Sequence, residues 1–567
     1  MANVRDAKGL IAHWPLVDNV EDSVGSGLAV RNHGVQLGAP GPGGRPGAAR
    51  FNGTDAFLEV PHHASLDLGS GDFTISAWIH TDADKSDVVG NIISKFDSEA
   101  RRGFHLYVLT SAGVTSTAQP NYRHLHFGID NARLDREWAD WGRPGNAVHV
   151  MALVVSQGKL YGSTLETGAD EMGHLWRYDE GRWVDLGNPV GCNVVGTVTE
   201  YKGALYCGVG RYIGQGSDLG DLPNRTPGGQ VYRVDPDGGW IYCGHPGAED
   251  ATPEESPPGD FSAHVHARTP DEVATSAFSS GKADDLIGLT VYQGKLYCTS
   301  IHRRGAFVYE GGQDWKYIGP DARILSFTVY HGSLYALING GPVYRYEGGS
   351  AWTYCGRPEK SIQTYSAVTH FGQLYIGIWP EAEVYRYDGG ETWTPISAEG
   401  RVGYERELMG IGLYNGKVYV GSLPMANVWR MDGRKFTFVG TLDTSAASLK
   451  RVWSMAIYQG KLLGGTLPSG HVRAIEAGKL ATWDQVFPGG WRHVTALKRG
   501  SALHLYVDGK QVAVTSGFNP GLYDLNNTQP LLIGFGAHDY FNGLMSDLRL
   551  YNRALEEAEI TVLARAG

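Results

Sequence analysis

One motif recurs seven times along this chain of 567 residues: roughly Y-x-G-K-L-Y-x-G, followed by V-Y-R-Y-(D/E)-G-G-x-W-x-x-x-G. Its core aromatic falls at Tyr161, Tyr206, Tyr297, Tyr335, Tyr375 and Tyr419, with Leu463 in the seventh copy. Most spacings are 38 to 45 residues, the size of a four-stranded unit. Within a copy, an apolar run (286–292, 324–330, 409–414) passes through a Gly turn into a second strand (295–299, 417–421). A third strand carries V-Y-R-Y (343–346, 384–387). A Gly-Gly or Asp-Gly turn then leads to a fourth, with Trp315, Trp352 or Trp393. Gly turns between apolar runs are hairpin signals. Short strands at this period predict a β-propeller, here seven-bladed. The 79 Gly residues recur at fixed places in the copies, where tight turns need positive φ.

Such an array must close on itself. The pattern W-x-x-x-G-x-P occurs as W-T-Y-C-G-R-P at 352–358 and again as W-A-D-W-G-R-P at 138–144, ahead of the first full copy. The last copy (452–478) has only a weak fourth strand. Residues 137–143 are therefore expected to complete the last blade from the other end of the array. That removes two exposed sheet edges. It also brings the ends of the array together, as insertion of one domain within another requires. The 91 residues from Tyr206 to Tyr297 contain no further copy. Their stretches 248–260 and 264–282 read as a long surface excursion.

The flanks carry a second pattern. The first flank has Ala12-His13-Trp14-Pro15-Leu16 with Asp22-Ser23, then Phe51-Asn52-Gly53-Thr54-Asp55, then Phe73-Thr74-Ile75-Ser76-Ala77-Trp78. The other has Trp491-Arg492-His493-Val494, Leu505-Tyr506-Val507-Asp508-Gly509 and Asp547-Leu548-Arg549-Leu550-Tyr551-Asn552. Together, over about 220 residues, they resemble the laminin-G-like, concanavalin A-like jelly-roll sandwich, interrupted by a kelch-like propeller. The resemblance implies an all-β chain, a seven-bladed propeller inserted into a jelly roll. Residues 1–135 would be the first half of the sandwich, 136–478 the propeller (with 136–144 closing its last blade) and 479–567 the second half. Many members of the family hold a structural Ca²⁺ through clustered oxygens. The resemblance implies Asp22, Asn52, Asp55 and Asp547 as its ligands, since hard oxygen donors suit Ca²⁺. The alternative is that these side chains shape turns and accept backbone hydrogen bonds.

Composition narrows the partners. A net charge of −11 disfavours a nucleic-acid backbone, which needs a basic surface. No apolar run approaches the length of a membrane span. The start, Met-Ala-Asn-Val-Arg-Asp, has no signal-peptide core; a mature form that had lost a leader would read the same. The compartment stays open, cytoplasmic or extracellular. The five Cys all lie in the repeats, at equivalent places in different copies (Cys207 with Cys298, Cys243 with Cys355). They are expected to be small buried hydrophobes rather than disulfides.

Propellers bind ligands over the central channel. The repeat consensus breaks most in the loops of that face, at Arg211-Tyr212, His302-Arg303-Arg304, Arg323, Gln363-Thr364-Tyr365, Trp379-Pro380, Glu405-Arg406-Glu407 and Arg451-Val452-Trp453. Arg forks suit carboxylates or sulfates, and aromatic rings can stack on sugars. The expected ligand-binding set is Arg211, Tyr212, His302, Arg304, Arg323, Tyr365, Trp379, Glu407, Arg451 and Trp453. The expected partner is an anionic polysaccharide or glycoconjugate. A second reading is a polysaccharide-degrading enzyme, lyase before glycoside hydrolase, with His302, Tyr212 and Arg451 as catalytic groups. A hydrolase would draw on paired carboxylates among Glu166, Asp285, Glu405 and Glu407. A third reading is a scaffold for protein partners. The plain alternative for the Arg residues is that they pair with neighbouring Glu residues and tie the blades together.

Overall fold

The computed structural model describes residues 8–566 apart from 45, 85–88, 111–112, 115, 118, 135–136, 213–217, 220–221, 236–237, 248–284 and 302–304. Two sheets built from both ends of the chain form a sandwich. One runs in the order Gln36–Pro40, Pro46–Asn52, Asn542–Tyr551, Phe73–Thr81, Gly490–Arg499, Ala502–Val507 and Lys510–Ser516, with Leu10–Trp14 also paired to Asn542–Tyr551. The other runs Arg31–His33, Phe57–Val60, Leu531–Ile533, Gly90–Asp97, Arg102–Leu109, His124–Leu134 and Ala477–Trp483. The alternating inward residues of the two sheets make one core, with Trp14, Phe51, Phe73, Phe104, Phe127 and Phe487 almost fully buried. The second half of the sequence is thus needed to cover the first.

Between these flanks the chain forms a propeller-like arrangement of antiparallel meanders. Five are separate four-stranded sheets. The expectation of seven separate blades needs correction here. The meanders starting at His149–Ser156 and Val194–Tyr201 are joined in one eight-stranded sheet, because Leu165 of the first pairs with Val194 of the second. The two-residue strand Ala139–Asp140 pairs with Val472–Ile475, and so covers an edge of the last sheet.

The repeated residues act as latches. In four of the fourth strands a Trp donates its indole N–H to a carbonyl of the preceding meander: Trp240 to Leu186, Trp315 to Cys243, Trp352 to Ile318 and Trp393 to Cys355, at 2.8–2.9 Å. The Tyr ending an inner strand donates its hydroxyl to the Gly carbonyl of the next turn: Tyr201 to Gly294, Tyr292 to Gly332, Tyr330 to Gly372 and Tyr414 to Gly460. The same two latches close the ring, through Trp183 to Trp141 at 3.1 Å and Tyr458 to Gly158 at 3.4 Å. The repeat is therefore a set of bonds between neighbours, which explains why its Tyr, Gly and Trp recur together. The Gly is required because the hairpin turn holds both central residues at positive φ, 49° at Gln157 and 76° at Gly158 in the first copy.

These turns all lie at one end of the channel, and the sandwich sits on that end. Gly158 donates its N–H to the Asp484 carbonyl, Gly416 donates to His538 Nε2, and Asn415 Nδ2 donates to the Ala477 carbonyl. Histidines gather at this junction. The His538 ring stacks on Tyr107 at 3.5 Å, Tyr107 stacks on His126, and His105 lies edge-on to His538 at 4.9 Å. His370 Nδ1 donates to the Ala537 carbonyl at 2.8 Å.

The sandwich also enters the channel. Described residues between Arg102–Leu109 and His124–Leu134 meet the inner strands, clamped by two side-chain amides. Gln119 donates to the Val291 carbonyl and accepts from the Val291 N–H, both at 2.8 Å. Asn121 does the same with Ile457, at 2.6 and 2.8 Å. The Val155 N–H donates to the Pro120 carbonyl. These amides satisfy backbone groups of inner strands in place of a ladder. Asn121→Ala would strand a buried N–H and a buried C=O. A loss of about 2–4 kcal/mol is expected, read as a lower midpoint in chemical denaturation. No change would mean that the plug is not clamped there.

All five Cys are free and buried. Among the described residues no helix is long and apolar enough to cross a membrane.

Candidate functional site at the far end of the channel

Each inner strand starts at the end of the channel away from the sandwich. Four of these starts are equivalent by register: His149 opposite Leu165, Gln363 opposite Trp379, Glu407 opposite Leu423 and Arg451 opposite Leu467. Two residues on from Arg451, Gln363 and Glu407 come Trp453, Tyr365 and Met409, each at a register shift of its strand pair. The tip of the plug meets them from below. The Trp453 indole donates to Ser116 Oγ at 2.8 Å, and Val114 packs with Met409, Leu423 and Trp453. Rings continue across the channel: His149 lies 4.8 Å from Trp453 and 6.3 Å from Tyr212, and Tyr365 lies 5.8 Å from Trp453.

The charges among these rings act on one another. Burial pushes the Glu407 carboxyl up to about 7, and the Arg451 charge only partly opposes it. Burial, reinforced by Arg451, holds the His149 imidazole well below its usual value, so it is neutral. Burial lowers the Arg323 guanidinium, while Tyr365, Tyr212 and Asp285 act to raise it. The Tyr212 and Tyr365 phenols are pushed up by burial and stay protonated. Asn193 and Tyr212 exchange two hydrogen bonds through the Asn side chain and the Tyr backbone. Among the described residues, neither ring nitrogen of His149 and not Oε1 of Glu407 has a hydrogen-bond partner. Both side chains are buried. Buried polar atoms of this kind are costly unless a ligand or water meets them.

Tyr212, Arg323, Tyr365, Glu407, Arg451 and Trp453 thus come together at this end of the axis. Tyr365 and Trp379 keep partial exposure, as does Arg211 next to Tyr212. His302 and Arg304 lie outside the described residues, as does Arg303. Two of the carboxylates considered for hydrolysis are otherwise engaged or displaced. Glu405 accepts from Asn427 and from the Trp429 indole within its own sheet. Glu166 sits beside Thr164, with its carboxyl raised to about 7 by burial. Sequence reasoning missed His149. Its signal was its place, directly ahead of the first apolar inner strand, where the last copy carries Arg451.

At the rim, Tyr404 is 95% exposed and Met425 45% exposed. Asp218 also reaches this face: it accepts from the Ser448 hydroxyl and the Leu449 N–H, both at 2.8 Å. Most of the 246–284 excursion lies outside the described residues.

The four side chains expected to hold Ca²⁺ make hydrogen bonds with their own loops and neighbours. Asp22 accepts the His13, Val24 and Ser26 N–H groups and the Ser26 hydroxyl. Asn52 Oδ1 accepts three backbone N–H groups of its own turn, and its amide donates to Asp55. Asp547 contacts His13 Nε2 at 2.7 Å and accepts from Arg549 Nε at 2.9 Å. A guanidinium beside a proposed ligand opposes a cation. Among the described residues no group of three or more His, Cys, Asp or Glu side chains could hold a metal.

Comparison with known proteins agrees with the sandwich. A family profile described as the concanavalin A-like lectin/glucanases superfamily matches residues 453–561. No curated protein sequence matches the chain. Among solved structures, the chain is similar to the binding domain of Paraclostridial Mosquitocidal Protein 1, at 9% identity and a TM-score of 0.28, over 100% of this chain and 53% of that one. The chain thus spans about half the length of that structure. It is also similar to YCF48 bound to D1 peptide (10% identity, TM-score 0.40, covering 60% of this chain and 95% of that one). A third is the WD40 beta propeller domain of Doa1 (12%, 0.36, 60% and 97%). The chain is an all-β protein with a propeller-like arrangement and a concanavalin A-like region.

Proposed function

We propose that this protein recognises carbohydrate, and that the far end of the propeller channel binds an anionic glycan, a polysaccharide or a glycoconjugate. The observation that supports this most is the His149–Glu407–Arg451 group. It sets unmet hydrogen-bonding atoms beside a guanidinium, on an axis lined by Tyr365, Trp453 and Tyr212. Two cations, Arg323 and Arg451, face Asp285 and a Glu407 carboxyl that is half neutral near pH 7. The balance is positive, which suits a uronate or sulfate. Counting the eight-stranded sheet as two blades makes the propeller seven-bladed, within residues 136–478, with the sandwich halves at 1–135 and 479–567.

Electrophoresis through gels containing uronic, sulfated or neutral polysaccharides tests the reading. Arg451→Ala is expected to weaken retardation in the anionic gels by about tenfold or more, the worth of one charge-assisted hydrogen bond. Retardation should also fall as pH rises through 7, because Glu407 then gains a charge, and Glu407→Gln should abolish that trend. Equal retardation of wild type and Arg451→Ala would remove the channel assignment.

One observation favours a second reading, a polysaccharide lyase or glycoside hydrolase. A carboxyl titrating near 7 beside neutral phenols can exchange protons at neutral pH. New chain ends in the same gel lanes would show it, and unsaturated ends would make it a lyase.

A further inference from the structure

A run of aromatic rings crosses the junction between the sandwich and the propeller, away from the channel. Phe57 stacks on the exposed His33 at 4.3 Å and 6°, and lies 5.1 Å from Phe535. Phe535 stacks on Tyr540 at 4.1 Å and 18°. On the propeller side, Phe371 lies 6.1 Å from Phe535. Phe57, Phe371, Phe535 and Tyr540 are all partly exposed. This is neither core, where such rings would be covered, nor scattered surface.

Beyond the turn at Gly372 lies a cavity of about 470 Å³, lined by Tyr330, His331, Tyr335, Arg345, Gln373 and Arg386 among others. Gly372 adjoins both the rings and this lining. The Tyr330 hydroxyl donates to the Gly372 carbonyl at 3.1 Å. A Cβ on Gly372 would come within 2.4 Å of the Tyr540 ring, so the propeller turn is pressed against the platform. Asp55 acts electrostatically on both His331 and Tyr540. His331 stacks on Tyr330 at 4.0 Å, and its Nε2 is buried with no hydrogen-bond partner among the described residues.

The polar groups carry little net charge. Arg345 is paired with Glu347 at 2.8 Å and Arg386 with Asp388 at 2.6 Å. Such Arg–carboxylate pairs recur on other blades (Arg177 with Asp179, Arg430 with Asp432) and are scaffold. What sets this cleft apart is the ring platform, the unmet His331 Nε2 and the amide of Gln373. Ligand sites combine apolar and aromatic walls with a few fixed polar groups. Flat ring faces next to neutral donors and acceptors suit the apolar faces and hydroxyls of a sugar.

We infer that this junction cleft is a second carbohydrate site, for an uncharged glycan chain that spans sandwich and propeller. It shares with the channel reading only the ligand class. The test uses the full chain in gels containing xylan, mixed-linkage β-glucan or galactomannan, with a uronic polysaccharide alongside. Phe57→Ala and Phe535→Ala are expected to lower retardation in at least one neutral gel by about tenfold while leaving the uronic gel unchanged. His33→Ala and Gln373→Ala, both at exposed positions, guard against misfolding and should weaken the same gel by a smaller factor. The inference is overturned if no neutral polysaccharide retards wild type, or if all four variants match it. Loss of uronic retardation in Arg451→Ala, with neutral retardation kept, would leave the two sites independent. Neutral retardation with no uronic retardation in wild type would sink the channel reading and support this one.

Discussion

Asp130→Ala is expected to remove about 3–5 kcal/mol of stability, a large share of what an ordinary domain has. Arg101 Nε and Nη2 donate to both Asp130 oxygens at 2.8–3.1 Å, and the two side chains are 3% and 1% exposed. Nη2 also donates to the Arg133 carbonyl, and Asp130 Oδ1 accepts the Ala132 N–H. Removing the carboxylate leaves a guanidinium buried without its counter-charge. Removing both charges does not, so Arg101→Met with Asp130→Leu should recover most of the loss. Denaturant midpoints of wild type, single and double variants make the comparison. A single variant as stable as wild type would show that water reaches the pair.

Mild acid is expected to unfold the protein or separate its two parts. Burial holds His105, His124, His126, His370 and His538 at the junction below their ordinary value, with His105 and His370 at about 4 and His124 at about 3. The His124 and His105 charges would further lower His126, and Lys417 lowers His370. Asn415, Tyr107 and Thr482 face them as neutral partners. His149, His331 and His493 are lowered too, by burial first. An unfolded chain protonates all eight below about 6.5. The folded chain does not, so stability is full above 6.5 and falls as pH drops. Five carboxyls pull the other way. Glu166, Glu407 and Asp484 are raised to about 7, Asp130 to about 6, and Glu200 is raised, all by burial, so the folded state holds their protons longer. Eight less five leaves three protons. At about 1.4 kcal/mol per proton per pH unit, the loss is about 4 kcal/mol per unit between pH 6 and 5. Thermal melts across that range measure it. His126→Phe, which keeps a ring against Tyr107, should reduce the slope by about 1.4 kcal/mol per unit. A melting temperature that does not change from pH 7 to 5 would show that the junction is hydrated.

The repeat made much of the architecture legible. Tyr, Gly and Trp recur because each takes part in the same bond to a neighbouring meander, and a bond repeated at a fixed period leaves a periodic trace. The flanks were legible for a different reason: Ala12 with Trp14, Ala49 with Phe51, and Phe73 with Ile75 and Ala77 fall at the period of two that puts them on the core face of their strands. The number of separate sheets was not legible, since one added pair, Leu165 with Val194, merges two meanders without changing their sequence pattern. At the channel, breaks in the repeat drew attention to Arg323, Tyr365, Glu407 and Arg451. His149 escaped notice because the first copy has no earlier copy to be compared with. The Ca²⁺ reading was not decided by the sequence, because Asp22 and Asn52 accept hydrogen bonds within their own loops, and a loop-shaping oxygen and a metal-binding oxygen are spelled alike.

The sequence by itself determined the strand period, the turns that need positive φ and the latches between neighbours, because each of these acts over a few residues or one repeat. Only the tertiary structure decided that Gln119 and Asn121 fill the channel, that Ser116 of the sandwich meets Trp453, and that five histidines share one junction. Those contacts join residues more than a hundred positions apart in the chain, and their free energy depends on burial and on neighbouring charge, which no local pattern encodes.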